Sequence, residues 1–272
     1  MGKYLKIYTP FINAGMQEAV SYRINWLFVV FGNILGCFVS FFLWSAVYAS
    51  TDGNTFMGFE YEQMIIYIFL TFLTSYIIGS GGTYDIGMEI KDGSIAMRLL
   101  KPISYNSTFL FQEFGSKMIN IIILFIPLMA GVEIYRYHIT GSVQFEIGRF
   151  LVYILSAFIA YLISFFFNIC YGFTAFVFKN LWGSNMMKNC LVGFLSGNII
   201  PIKFLPVAMA NVLVYLPFAS LNYTPVMIYM GIYNGAYMWF QILLQIVWCV
   251  FFWILTKVIW KCVIKHLTIQ GG

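Results

Sequence analysis

Charged side chains are scarce in this sequence. Asp, Glu, Lys and Arg make up 9% of the 272 residues, whereas a soluble domain carries about 25%. Hydrophobic residues make up 61%. Several apolar runs reach the ~20 residues that a helix needs to cross ~30 Å of hydrocarbon. These runs lack the alternating pattern of a membrane β-barrel strand. The sequence therefore predicts an all-α integral membrane protein.

The motifs of common enzyme classes are also missing. There is no GxxxxGK[ST] phosphate loop, so we expect that the chain is not itself an ATP-hydrolysing enzyme. His138 and His266 have neither an HExxH pattern nor a carboxylate at ligand spacing, so we expect no metal site. The five cysteines form no CxxC pair and are typical of small apolar core residues: Cys37, Cys170, Cys190, Cys249 and Cys262.

One serine raises a catalytic alternative. The stretch from Gly193 through Ser196 to Gly197 resembles the serine motif of intramembrane rhomboid proteases, with one residue too many before the serine. The only histidine after it, His266, follows the last apolar run. A helix-packing pair of glycines is favoured, and the protease is the remotest alternative.

Six apolar segments predict six transmembrane helices, at residues 26–48, 64–79, 117–135, 150–178, from about 190, and 236–258. The third contains Pro127, which predicts a kink. We expect no charged residue deep in a span, which argues against a proton- or sodium-coupled transporter. Residues 1–22 predict an interfacial helical segment interrupted at Pro10. Residues 201–235 are apolar but rich in proline, which predicts re-entrant helices between spans five and six.

The basic residues indicate an orientation. Twelve of the 15 Lys and Arg residues fall on one side of the six predicted spans, so both termini should be cytoplasmic, with the first span an uncleaved signal-anchor. Because the positive charges flank spans, the net charge of +5 predicts no nucleic-acid partner. The Ile, Phe, Tyr, Lys and Asn bias indicates an AT-rich bacterial genome. We therefore expect one multi-pass domain, residues 1–272, in the cell membrane of a bacterium.

Small and polar residues recur at spacing four in two spans, which places them on one helix face. In the first span, Gly32, Gly36 and Ser40 predict close helix packing, with a dimer interface nearby. In the fourth span, a second stripe must face protein or water and not lipid: Ser156, Ala160, Ser164, Asn168 and Gly172. Plain helix packing and a substrate path both explain such stripes. The candidates for the path are Asn33, Asn168 and Ser164.

The longest polar interruption, residues 83–117, predicts a cytoplasmic loop. Thr83 or Asp85 can cap a short helix that Gly93 ends, and Asp92 with Ser94 can start another. Two short helices with mixed charges suit docking on another protein, whereas the simpler alternative is a loop that only sets topology. The candidate docking residues are Asp85, Glu89, Lys91, Asp92, Arg98 and Lys101.

This loop resembles a known family. The run EIKDG from Glu89 to Gly93, followed by LLKPIS from Leu99 to Ser104, is similar to the signature of type-2 ATP-binding-cassette exporter permeases with six spans. Two weaker matches agree, namely Tyr22-Arg23 before the first span and the terminal Gly271-Gly272. Lys101 departs mildly from the arginine that is common at that position.

The resemblance implies a transporter subunit. In that family two permeases pair, each docks a cytoplasmic ATPase through its first cytoplasmic loop, and substrate is expelled outward. ATP and Mg are bound by the ATPase, and this chain needs no cofactor of its own. The subfamily favours a heterodimer over a homodimer. The alternative from another class is a membrane sensor or immunity protein that binds a peptide or lipid without transporting it.

Overall fold

The structure is a computed structural model that describes residues 2–21, 23–51, 54–100, 103–141, 145–178 and 181–264. This part of the chain is almost entirely helical, with one short hairpin of β1 (Thr55–Phe56) and β2 (Phe59–Glu60). The α-helices are α1 (Gly2–Ser21), α2 (Arg23–Ala49), α3 (Tyr61–Ile78), α4 (Gly82–Asp92), α5 (Ile95–Leu99), α6 (Tyr105–Asn120), α7 (Ile126–Thr140), α8 (Ile147–Gly172), α9 (Trp182–Leu195), α10 (Val207–Leu213), α11 (Tyr223–Tyr229) and α12 (Gly235–Val263).

Five helical stretches within the described ranges are long and apolar enough to span a membrane: Leu27–Ala49, Tyr61–Asp92, Tyr105–Ile139, Ile147–Phe176 and Gly235–Val263. They confirm an all-α membrane protein and overlap predicted spans one to four and six. The predicted fifth span is not among them, because α9 has 14 residues and rises only about 21 Å. Short helices follow it, as predicted for residues 201–235, and their depth in the membrane stays a prediction.

The third spanning helix begins earlier than predicted. The sequence placed its start at Lys117, but α6 begins at Tyr105, so the predicted loop of residues 83–117 is helical over its last third. A π turn, Ile121–Phe125, joins α6 to α7. Pro127 follows this turn and cannot donate the hydrogen bond of a regular α-helix. The structure therefore has a π turn where the sequence predicted a kink.

The fourth span, α8, forms the centre of the bundle. The predicted stripe of small and polar residues is buried along its whole length, which confirms that it faces protein. Ser156 donates to Gln245 of α12 at 2.9 Å, and Gln245 donates to the Ser220 carbonyl at 2.8 Å. Because these polar groups bond to one another, a polar stripe is compatible with the apolar core around it.

The N-terminal helix packs tightly on the start of the third span. The expectation that Pro10 interrupts this segment was wrong, because α1 continues from Gly2 to Ser21 with Pro10 inside it. A Cβ on Gly15 would lie 1.8 Å from the Gln112 carbonyl oxygen, and one on Gly115 would lie 2.0 Å from that of Ile12. Only glycine permits so close an approach of two helix backbones.

The opposite end of the bundle, away from α4, is closed by aromatic and charged contacts. Phe204, just before α10, lies 5.3 Å from Trp44 of α2 and 5.4 Å from Phe56 of the hairpin, measured between ring centroids. Glu133 of α7 pairs with Arg136 at 2.9 Å and accepts a hydrogen bond from Tyr229 of α11 at 2.6 Å. These contacts hold the short helices after α9 against the first span, the hairpin and the third span.

Candidate functional site

The predicted docking segment forms two short helices joined by a tight turn. Gly93 has φ +78° and ends α4 in the left-handed conformation that glycine adopts without strain. Asp92 Oδ1 then accepts hydrogen bonds from the backbone N–H of Ser94 at 2.9 Å and from its hydroxyl at 2.6 Å. This turn sets the angle between α4 and α5. It lies where the sequence predicts the helix end.

Two of the predicted docking residues bond to each other. Arg98 Nε lies 2.6 Å from Glu89 Oε1, and Tyr105 donates to Glu89 Oε2 at 3.2 Å. Arg98 also donates to Thr108 at 3.2 Å and lies over the ring of Phe109, 4.2 Å from its centroid. Glu89 and Arg98 therefore join α4 and α5 to the start of α6. Their main role is to orient the two helices, because their side chains bond to other residues of this segment and of α6.

The exposed face of α4 and α5 carries apolar side chains that the sequence analysis did not select. Lys91 and Asp92 are exposed, as is Asp85, while Lys101 lies outside the described residues. Among them stand four large hydrophobic side chains: Tyr84, Met88, Met97 and Leu100. Leu100 is 80% exposed and Met97 is 68% exposed. The available signal was the spacing of four between Tyr84 and Met88, which puts both on one helix face.

The helix α4 crosses α8 at two glycines. A Cβ on Gly172 of α8 would lie 3.1 Å from the Ile86 Cβ and 3.3 Å from the Thr83 Cα. A Cβ on Gly82 of α4 would lie 3.2 Å from Ile169. Ile86 is completely buried in this crossing. Movement of α4 against the fourth span is therefore restricted by direct backbone contact.

A buried polar cluster lies beside this crossing and links three helices. Thr83 of α4 donates to Asn168 of α8 at 2.9 Å, and Asn168 donates in turn to the Ser164 carbonyl at 2.8 Å. The ammonium of Lys188 in α9 donates to Asn168 Oδ1 and, at 3.2 Å, to the Thr83 hydroxyl. We call these four residues the Lys188 cluster. Asn168 and Ser164, predicted for a substrate path, thus lie in a helix junction.

Lys188 is a buried cation that is not among the candidate residues chosen from the sequence. It is 8% exposed, and its Nζ lies 5.0 Å from the ring centroid of Tyr171. It precedes the predicted fifth span, and burial lowers the pKa of its ammonium to about 8. Its partners are amide and hydroxyl oxygens and an aromatic face, which stabilise a cation without a carboxylate.

The predicted packing stripe of the first span lines a cavity of about 480 Å³ between α2, α3 and α6. Among the described residues, no atom lies within 4 Å of where a Cβ on Gly32 or Gly36 would stand, so neither glycine packs on another described helix. Asn33 lines the same cavity and donates to the Tyr76 hydroxyl at 3.3 Å. The further polar lining consists of Ser40, Ser75, Lys117, Asn120 and Asn198.

A second cavity of about 410 Å³ adjoins the first. Both are lined by Gly79, Lys117 and Asn120, and the second also by Glu18, Asp85 and Glu113. Lys117 donates to the carbonyl oxygens at the end of α3, Gly79 and Tyr76. The third spanning helix contains both Glu113 and Lys117, and Lys117 is buried within the protein. The expectation that no charged residue lies deep in a span stays a prediction, because this helix of 35 residues is longer than a membrane is thick.

The metal and protease alternatives and the weaker family matches concern residues elsewhere in the chain. No group of three or more His, Cys, Asp or Glu side chains in the described ranges is arranged to hold a metal ion. Ser196 donates to the Gly193 carbonyl at 3.2 Å, as expected of a helix-end serine, while His266 lies outside the described residues. So do Tyr22, Pro102, Gly271 and Gly272, four of the residues that carry the family resemblance.

Comparison with known proteins identifies the family of the chain. A search of curated proteins found no match to the sequence. The family model described as ABC-2 family transporter protein matches residues 34–271, which include the α4–α5 segment and the Lys188 cluster. Each cavity lies partly outside the match, because Gly32 and Asn33 line the first and Glu18 lines the second. With a match over most of its length, the chain belongs to the ABC-2 transporter family and is a multi-pass permease of that family.

Proposed function

We propose that this permease is the membrane subunit of an ATP-driven exporter and docks a separate cytoplasmic ATPase on the exposed face of α4 and α5. The observation that carries the proposal is that α4, α5 and the residue after α5 expose large apolar side chains, above all Met97 and Leu100, together with the charged Lys91 and Asp92. Exposed apolar side chains grouped with a few charges are typical of a protein interface. ATP and Mg would be bound by the partner, because this chain has no phosphate loop.

Displacement of the docked helices would reach the spans through two rigid contacts. The Glu89–Arg98 ion pair joins α4 and α5 to α6, and the Lys188 cluster joins α4 to α8 and α9. Gly172 prevents α4 from sliding freely over α8. A movement of the ATPase would therefore move the third and fourth spans together with α4.

The two adjoining cavities are the proposed substrate path. Gly32 and Gly36 of α2 line the first cavity, and a Cβ on either would meet no other described residue within 4 Å. A second permease chain would close this side of α2, and the family resemblance favours a heterodimer over a homodimer. Asn33 lies in the path, whereas Ser164 and Asn168 would act on it only through the helix junction.

A sixth crossing of the membrane fits the contacts of α9 and the residues after it. Lys188 contacts Thr83 next to the docking surface, while Phe204 contacts Trp44 and Phe56 at the far end of the bundle. The chain between Lys188 and Phe204 would cross as a helix to Leu195 and then as irregular backbone packed in protein. With six crossings and the positive-inside rule, both termini are cytoplasmic in a bacterial cell membrane.

Affinity purification of the tagged chain from its native membrane tests the docking surface. We expect a phosphate-loop ATPase to co-purify, and Met97→Glu to lower its recovery about tenfold, as for a residue that contributes more than ~1.4 kcal/mol at an interface. Met57→Glu is the matched control, because Met57 is also exposed but lies in the hairpin at the far end. Equal recovery with both variants, or no ATPase at all, would contradict the proposal.

Reconstitution of the purified complex tests transport separately. We expect substrate efflux from vesicles to require ATP hydrolysis by the co-purifying subunit. A sensor or immunity protein would bind its peptide or lipid equally well without hydrolysis and would move nothing across the membrane.

A further inference from the structure

A cavity on the side of the bundle is lined by basic residues and by none that is acidic. It lies between the start of α6 and the end of α12 and has a volume of about 590 Å³. Arg98, Lys257 and Lys261 line it, together with Ser104, Asn106 and Ser107, and no Asp or Glu is among the described residues that do so. A cavity with this lining favours an anionic ligand.

The two lysines are available to such a ligand. Lys257 and Lys261 are exposed, and neither forms an ion pair within the described ranges. The Nζ of Lys257 lies 3.4 Å from the ring centroid of Trp253, which holds the ammonium at the cavity wall. Arg98 is less available to an anionic ligand than the two lysines, because it already forms an ion pair with Glu89. It therefore adds only part of its positive charge to the cavity.

The start of α6 adds donors to the same cavity. Ser104 precedes the helix but its side chain caps no backbone N–H, so the first turn of this 16-residue helix presents its positive end to the lining. Asn106 lines the cavity as well, and its Oδ1 is buried without a hydrogen-bond partner in the described part of the chain. This oxygen accepts hydrogen bonds and cannot bond to a phosphate, so its partner in a ligand would be a hydroxyl group of the headgroup.

The height of the cavity corresponds to the surface of the hydrocarbon layer. From Gly235 to Lys257 the helix α12 rises about 33 Å, which is close to the ~30 Å thickness of that layer. Trp253 and Trp260 line the cavity at this level, as tryptophans do at membrane interfaces. Val258, which is 52% exposed, presents an apolar surface beside it.

The walls are fixed in advance of binding. Trp260 of α12 stacks on Tyr105, the first residue of α6, with ring centroids 4.8 Å apart and planes 9° apart. Phe173 packs on the same tryptophan at 5.2 Å. The lysines and the start of α6 are thus held at a constant separation, which reduces the entropy lost on binding.

We propose that this cavity binds the phosphate of an anionic phospholipid headgroup. The phosphate lies between Lys257, Lys261 and the first turn of α6, and the acyl chains follow the exposed apolar side of α12. A zwitterionic lipid binds less well, because no carboxylate in the described lining matches its ammonium group. The cavity adjoins the α4–α5 segment through Arg98, but the proposed phosphate contacts are with Lys257, Lys261 and the start of α6 and do not depend on ATPase docking.

Native mass spectrometry of the full-length purified protein tests this site with two lipids, phosphatidylglycerol and phosphatidylcholine. We expect the unchanged protein to retain phosphatidylglycerol preferentially. In Lys257→Gln/Lys261→Gln the affinity for this lipid should fall about tenfold or more, since each basic residue at an anionic surface contributes on the order of 1 kcal/mol. Lys203→Gln, which removes an exposed lysine at the far end of the bundle, should have no effect.

Two further measurements distinguish the sources of the phosphate and the role of charge. Lys257→Arg/Lys261→Arg should keep the lipid preference, because the charge is retained. Inorganic phosphate at millimolar concentration should not displace the lipid; displacement would assign the site to free phosphate and overturn the lipid proposal. A phosphatidylglycerol preference that survives the double glutamine variant would overturn it as well.

Discussion

The cation in the Lys188 cluster allows an asymmetric prediction for two substitutions. Lys188→Met removes the ammonium but keeps much of the side-chain volume, and Asn168 still accepts a hydrogen bond from Thr83 at 2.9 Å. Asn168→Leu instead removes the oxygen to which the ammonium donates. It leaves Lys188 buried with the Thr83 hydroxyl as its remaining protein acceptor. The second substitution should therefore be far more damaging than the first.

The magnitudes follow from the contacts. Lys188→Met loses two hydrogen bonds of a charged donor, about 1.5–3 kcal/mol each, but it also removes a desolvation penalty of several kcal/mol for a buried ion. These terms largely cancel, so we expect a net change in the free energy of unfolding within ~1 kcal/mol. Asn168→Leu keeps the desolvation penalty of the Lys188 ammonium but removes its hydrogen bond to Asn168. It should cost about 3–5 kcal/mol of unfolding free energy, as when one partner of a buried pair is removed.

Thermal unfolding of the purified variants measures this difference. At ~2 °C per kcal/mol, Asn168→Leu should lower the Tm by about 6 °C or more, and adding Lys188→Met to it should restore most of the loss. Lys203→Met controls for the loss of a lysine elsewhere. Equal effects of the two single substitutions, with an additive double variant, would refute the idea that Lys188 is a buried charge held by Asn168.

Reconstituted Lys188→Met should hydrolyse ATP but transport poorly, because α9 is no longer tied to α4.

Four further outcomes follow from the same contacts. Burial lowers the pKa of Lys188 to about 8, so the unfolded chain binds more protons between pH 8 and ~10.4, and the Tm of the unchanged protein should rise relative to Lys188→Met over that range. Gly115→Ala, whose Cβ would lie 2.0 Å from a carbonyl oxygen of α1, should cost about 1–3 kcal/mol in thermal unfolding. Gly36→Leu, which meets open space in this chain, should leave the monomer's Tm unchanged but reduce cross-linked dimer. Glu89→Gln and Arg98→Gln should show a coupling of about 0.5–3 kcal/mol in a double-mutant cycle of unfolding.

Each outcome has a contrary result. A pH-independent Tm difference would mean that Lys188 does not titrate in the folded protein. An unchanged Tm for Gly115→Ala would contradict the close contact of α1 with α6. Normal dimer yield for Gly36→Leu would move the dimer interface away from this face. Additive effects at Glu89 and Arg98 would mean that their ion pair does not hold α5 in place.

The spans and the docking helices could be predicted because their signals are local. Long apolar runs defined α2, α3, α8 and α12, and Gly93 marked the end of α4 through its backbone freedom. The spacing of four in α8 predicted its buried stripe, since a polar residue cannot face lipid without cost. In each case, residues within about two helical turns of one another carry the information.

The junctions could not be predicted because they join distant parts of the chain. Gly15 meets α6 through Gln112, almost a hundred residues away in sequence, and no local pattern pairs them. The start of α6 contains asparagine, serine, glutamine and glutamate, which resemble a loop until α1 and α4 are packed against them. Lys188 likewise resembles an ordinary loop cation, and only the fold around Asn168 shows that it is buried.

The π turn at Ile121–Phe125 divides one membrane span into two rotational phases. A turn of this kind accommodates one more residue than an α-helical turn, and one residue corresponds to about 100° of rotation. From the last residue of the turn, Phe125, the buried positions Phe125, Met129, Val132 and Arg136 recur with regular helical spacing. The buried positions in the half next to the docking helices and those in the half next to the Glu133–Arg136 pair therefore follow different rotational phases of the helix. Substitutions can accumulate in either half independently, provided that the number of residues in the turn stays the same.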